Sequence, residues 1–283
     1  MIRHFLDCGA MQLAALFVLV VATPELTQAA QPAVETANAS TIELSTSDRN
    51  RAVRVLRDGL HSEEFWPSIH AAEGLTLGGL GDEVRDYLEP KLAEEADDQR
   101  RCGLARELVR AGARWHRDVM LTILSGADSH GHIHAAESLF KVAEIGDGVA
   151  MRHAFAQTEN LRWKLMAAAA LTRTGNTTAR EFLRETVEHP DPEIARLAAW
   201  VLGRAGDQSD IPRLKGRLER LDAPLARAFF NHSLAALGDP DGKAALLANL
   251  TSDDAALRTY SATFAGDARL TEAVPLLIKQ LDD

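Results

Sequence analysis

The stretch Arg196-Leu197-Ala198-Ala199-Trp200-Val201-Leu202-Gly203-Arg204-Ala205-Gly206-Asp207 sets small and apolar residues on a helical period and then breaks at Gly206. The same frame returns on both sides of it. Taking Leu202 as a marker position, one apolar residue recurs at Leu75, Leu108, Leu139, Leu171, Leu202, Leu234 and Phe264, in steps of 33, 31, 32, 31, 32 and 30 residues. Three positions earlier stands a small residue (Ala72, Ala105, Ala136, Ala168, Ala199, Ser261), with Asn231 as the exception. A near-constant step carrying two helical periods is what stacked repeats produce, because each unit buries its apolar face only against its neighbours. Helix axes about 8 to 10 Å apart need Ala or Ser at the closest contact, which accounts for the small residue. The expectation is an all-α superhelix of about seven repeats of ~31 residues over residues 65–283.

Within each repeat the second helix has its own apolar spacing, as in Val84, Tyr87, Leu88 and Leu92 or in Ile211, Leu214 and Leu218. Gly112, Gly175, Gly206 and Gly238, each four residues after the marker, are expected to end the first helix in a left-handed conformation. The first and third repeats are expected to run longer, to Gly81-Asp82 and Gly146-Asp147. Pro212 and Pro275 fall at the start of a second helix, where a missing N–H is harmless. Residues 47–64 predict a capping helix, begun by Ser47 or Asp48 and running through about Leu60, that covers the open face of the first repeat. Asn231 beside Phe229-Phe230 predicts that the sixth repeat packs differently.

The N-terminus follows another logic. Met11 to Ala22 is a twelve-residue apolar run, followed by Pro24 and the small-residue stretch Thr27-Gln28-Ala29-Ala30. That order predicts a signal peptide over residues 1–30, a linker over 31–46, and a periplasmic or secreted product. The run is short of the ~20 apolar residues a span requires, so no membrane association beyond the export signal is expected. After cleavage only Cys102 remains, at a position that is apolar in other repeats, and it reads as a small buried residue. Trp66, Trp115, Trp163 and Trp200 read as core. A net charge of -10 with no basic stripe evident in the sequence argues against a nucleic-acid partner.

The phrase quoted at the outset resembles the HEAT-like repeats of the phycobilisome-lyase type, whose pattern runs R-x-A-A-x-A-L-G-x-x-G-D. Ile133-His134-Ala135-Ala136-Glu137-Ser138-Leu139 fits the same frame. The resemblance covers Phe65 to Asp283 and implies a HEAT/armadillo-like α-α solenoid. Members of that superfamily include bilin lyases, scaffolds and deoxyhypusine hydroxylase, whose di-iron site uses adjacent His-Glu pairs. Here the carboxylate comes three residues after the histidine, in His70-Ala71-Ala72-Glu73 and His134-Ala135-Ala136-Glu137, so the adjacent pair is absent.

His-x-x-Glu still sets imidazole and carboxylate on one helical face, a geometry suited to holding iron or zinc or to tuning a proton-transfer histidine. The candidate metal-ligating residues are therefore His70, Glu73, His134 and Glu137, with His130 and His132 as a neighbouring His-x-His loop. The histidine column holds Met166, Leu197 and Phe229 in later repeats, so it faces inward. The two pairs stand two repeats apart, roughly 20 Å in a regular stack, too far for one ion. The pairs accordingly read as structural, with no cofactor. The functional expectation is an exported, non-catalytic binding or scaffold protein that offers a concave ridge of second helices to a protein partner. The alternative is a metal-dependent oxidoreductase loosely like deoxyhypusine hydroxylase, using the His-x-x-Glu pairs.

Overall fold

The structure, a computed structural model, describes residues 44–281. The expected signal peptide and nearly all of the expected linker lie outside the described residues. The first helix, α1 (Thr46–Leu60), is capped by Ser45, whose side chain accepts the Asp48 N–H at 3.0 Å. The cap therefore lies two residues before Ser47, because a cap must reach an N–H two or three positions on, and Asp48 occupies the first turn. Ala52, Leu56 and Leu60 are buried, and Leu56 presses on the next helix so closely that a Cβ at Gly74 would sit 2.7 Å from its Cδ2.

Seven helix pairs follow. They are α2 (Phe65–Leu77) with α3 (Gly81–Glu94), α4 (Asp98–Arg110) with α5 (Arg117–Ser125), α6 (His132–Val142) with α7 (Val149–Gln157), and α8 (Leu161–Arg173) with α9 (Thr177–Thr186). Then come α10 (Pro192–Ala205) with α11 (Ile211–Leu218), α12 (Pro224–Ala236) with α13 (Pro240–Asn249), and α14 (Ala255–Asp267) with α15 (Val274–Gln280). No strand occurs among the described residues. The fold is a HEAT-like α-solenoid. Every marker residue is buried, as are Cys102 and the small residues three positions before the markers, with Asn231 the most exposed of that set at 9%. Asp97, Asn160, Asp191 and Asp254 cap the first helices α4, α8, α10 and α14, each through its own side chain. Pro212 and Pro275 lie in the first turns of α11 and α15, as expected.

The left-handed turn is more regular than the glycines suggested. Gly79, Gly112, Gly175 and Gly238 all have φ between 84° and 98° four residues after their markers, so the first repeat obeys the rule and Gly81 instead opens α3. In the third repeat Ala143 takes the same place at φ 57°. Gly206 departs from the expectation, with φ -86°. There Asp207 and Asp210 form a capping box that redirects the chain without a left-handed residue.

The sixth repeat does pack differently. Asn231 moves the close approach one position pair along: a Cβ on Gly203 of α10 would lie 2.7 Å from Ser233 Cα of α12, and Ser233 Oγ donates to the Ala199 carbonyl at 2.7 Å.

Along the whole row, consecutive first helices pack directly on one another, whereas second helices hardly touch their neighbours of the same kind. A stack tight on one side and splayed on the other curves toward the tight side. The first helices thus line the concave face, in contrast to the ridge of second helices expected there. The curvature is steep enough for the Asp267 charge, at the end of α14, to act on Arg110 at the end of α4 and on Glu73 in α2. On the splayed side, side-chain ties bridge the capping helix and several repeats to the next: Arg57 to Glu83, Arg85 to the Ala111 carbonyl, Arg117 to Glu144, Arg180 to Asp207 and Lys215 to Asp241. Exposed ties of this kind add little stability each, because solvent screens them.

Candidate binding face: a charged seam on the concave side

Two positions after each marker the chain carries Leu77, Arg110, Lys141, Arg173, Arg204, Ala236 and Gly266. Four consecutive repeats therefore set a cation at the end of the first helix. Two positions before the marker stand Glu73, Arg106, Glu137, Ala169, Trp200, His232 and Ala262. Residues four apart share a helical face, so the two columns form one seam down the concave side.

Ion pairs knit the seam within and across repeats. Arg110 Nη2 lies 2.8 Å from Glu73 Oε1 in the preceding repeat, and Arg110 Nε donates to Glu107 Oε2 at 2.8 Å. Arg106 Nε donates to the other Glu107 oxygen at 2.5 Å, and the Glu107 side chain is wholly buried. Lys141 Nζ pairs with Glu137 Oε1 at 2.8 Å. Arg204 reaches across the sixth repeat to Asp267.

Electrostatics follow from this packing. Burial alone would raise the Glu73 carboxyl, but Arg110, a hydrogen bond from His70, and the charges of Arg106 and Lys141 hold it well below the usual carboxylate range. Burial likewise works against ionised Glu137, yet Lys141 brings it down to about 2. Arg173 is the exception. Although one side of it is exposed, desolvation by the side chains around it lowers its pKa to about 10, and Arg204 and Arg110 add repulsion that the Asp267 charge partly offsets.

The sequence-derived metal candidates are dispersed along this architecture. His70 Nδ1 is 3.7 Å from Glu73 Oε2, so that pair does meet, but Glu73 is shared with Arg110. His134 instead stacks on Trp66, ring centroids 5.6 Å apart, and Glu137 is taken by Lys141. His130 Nε2 lies 2.8 Å from exposed Asp97, while His132 Nε2 faces the Gly126 carbonyl at 3.0 Å and its ring lies against Trp163. The three histidines thus point to three different neighbours. Among the described residues no three His, Cys, Asp or Glu side chains converge as a metal site would require. Trp66, Trp163 and Trp200 pack against the core, whereas Trp115 is 64% exposed in the turn before α5, contrary to the expectation for all four.

Residues 149–230 match the family model for HEAT repeats. That assigns the middle of the array to HEAT repeats in general and does not single out the phycobilisome-lyase type. Among solved structures, human deoxyhypusine hydroxylase in complex with glycerol is similar at 15% identity and a TM-score of 0.38, over 91% of this chain and 96% of that one. An engineered protein is similar at 16% identity and a TM-score of 0.32, over 96% of this chain and 82% of that one. Scores of this size carry no argument about activity. No curated protein matches the chain.

The seam also buries a titratable group. His232 is fully buried against Phe264, with Asp267 Oδ2 3.6 Å from its Nε2 and Arg204 nearby, and burial pushes its pKa down to about 4. A histidine whose folded pKa is depressed destabilises the fold as pH falls, because below about 6.5 the unfolded chain takes up a proton that the native state refuses until about pH 4. Across that window the expected loss is about 3 kcal/mol. Urea unfolding at pH 7.5 and pH 4.5 should show it, and His232→Phe should flatten the dependence; an unchanged slope in the variant would assign it elsewhere.

Proposed function

We propose that this HEAT-repeat protein, of the phycobilisome-lyase type by its Arg196–Asp207 phrase, is an exported, non-catalytic binding or scaffold protein that takes a protein partner on its concave face. The observation that supports this most is the row Arg110, Lys141, Arg173 and Arg204, one cation per repeat, aligned on the inner side of an otherwise acidic chain. Inner surfaces of solenoids offer long contact areas, and polar groups set on a rigid scaffold give such contacts their specificity. The partner site would be built on first helices. Nucleic acid is not the proposed partner, because most of these cations already face a carboxylate of the same chain.

A photoreactive side chain placed at Ala236, on the concave seam, is expected to cross-link one reproducible protein in the native envelope, while the same group at exposed Glu185 on the outer side is not. Cross-links from Glu185 alone would place the partner elsewhere. The oxidoreductase alternative is tested on the same preparation: stoichiometric iron or zinc, lost in a His70/His134 double variant, would replace the scaffold reading. Mass spectrometry of mature protein is expected to find its start at Ala30 or Gln31.

A further inference from the structure

The seam is one carboxylate short. Glu73, Glu107, Glu137 and Asp267 face Arg106, Arg110, Lys141 and Arg204, so each of those cations has an anion within reach. Arg173 has none within ion-pair distance among the described residues. Its Nη1 donates to the Phe140 carbonyl at 2.7 Å and its guanidinium lies over the Phe140 ring, 4.3 Å from the centroid. Solvent reaches this side chain. Beside it, the Arg204 guanidinium lies over Trp200 at 4.8 Å, and Phe140 meets Trp200 edge to face with centroids 6.0 Å apart. Arg204 Nε is buried with no hydrogen-bond partner. Two guanidinium groups thus rest on adjoining aromatic rings, one lacking an anion and the other holding an unused N–H.

We propose that Arg173, supported by Arg204, is a binding site for a single carboxylate group, which completes the charge pattern of the concave seam. The site deepens the binding function proposed above and rests on the concave face being the side that binds. A guanidinium fork matches a carboxylate through two parallel hydrogen bonds, and the ring beneath Arg173 fixes the plane of that fork in advance. A monoanion balances one surplus positive charge, whereas a phosphate dianion would overshoot it beside Glu73 and Asp267. The repulsion that Arg204 and Arg110 exert on Arg173 is relieved when the anion arrives.

The carboxylate belongs either to a small free acid or to a side chain of the partner, and the test separates them. Full-length mature protein labelled with nitrogen-15 in arginine is titrated, at constant ionic strength, with acetate, with succinate, and with an acetylated, amidated Ala-Ala-Glu-Ala-Ala peptide beside its glutamine counterpart. The Arg173 Nε–H resonance, assigned through Arg173→Lys, should move saturably with carboxylates and not with chloride or the glutamine peptide. Arg173→Gln, checked for native helicity, should weaken binding at least ten-fold as read at the Arg204 resonance, and Arg173→Lys should weaken it less than Arg173→Gln. Tighter binding of the glutamate peptide than of acetate assigns the carboxylate to a protein partner; equal or tighter binding of the free acids assigns it to a small molecule. Shifts that follow ionic strength without saturating, tighter binding of inorganic phosphate than of acetate, or no loss in Arg173→Gln would each overturn the proposal. If Ala236 cross-links a partner while Arg173 stays silent, the binding function stands and the carboxylate site alone falls.

Discussion

Glu107→Gln is expected to lower unfolding free energy by about 3 to 5 kcal/mol, the cost of leaving buried charges uncompensated. Glu107 is wholly buried and answers two arginines at once, one oxygen on Arg106 at 2.5 Å and the other on Arg110 at 2.8 Å. Arg106 is itself buried, and its Nη2 already lacks a hydrogen-bond partner, so only the Glu73 charge in the preceding repeat remains to answer it. A glutamine keeps the volume but removes the charge, and its amide turns a donor toward a second donor. Because the group is out of solvent, added salt should restore little of the loss. Urea unfolding reads the effect as a lower midpoint with an unchanged slope. A loss below about 1 kcal/mol would mean that water reaches Arg106 and Arg110 readily enough to replace the carboxylate.

Leu171→Ala is expected to cost about 2 to 5 kcal/mol, the range for truncating a buried leucine. Within that range the cost depends on how far the surroundings collapse into the space left. Leu171 is the marker of the fourth repeat, in mid-array, and the four residues before it, Ala167 through Ala170, are all buried alanines. Alanines have no side chain to swing into the void, so the upper half of the range applies. A loss below 1 kcal/mol would show that Leu171 does not hold the position its spacing gives it.

The marker column was legible because burial repeats with the chain: each unit presents the same face to its neighbour, and the constraint is written every thirty-odd residues. Ala143 shows where the reading by residue type stops, since a left-handed turn dictated by tertiary stacking is held by alanine as well as glycine. The concave side was misassigned for a physical reason. Both helices of a repeat carry apolar periods, and the choice of inner helix depends on how tightly Ala and Gly let the first helices approach, as Gly203 and Ser233 do. The cation row escaped a scan of charge because carboxylates surround it and the net charge is -10. Reading the column two after the marker would have found it. Its pairings would have stayed hidden, because Arg204 and Asp267 are partners only through the curvature. Of the two His-x-x-Glu phrases only His70 and Glu73 meet, because His134 stacks on Trp66, a contact set by the path of α2 relative to α6.

The Arg204–Asp267 bridge also limits how this chain can change its length. Arrays of identical units ordinarily gain and lose members by duplication or deletion, since each unit knows only the one before and the one after. Here the fifth unit holds the seventh over the head of the sixth, which contributes His232 beneath the bridge. A unit copied into that interval would carry Asp267 beyond reach and strand two half-buried charges, and a unit removed would take His232 with it. The last three units form a closed phrase, and growth of the array by whole repeats is left to the stretch before Pro192.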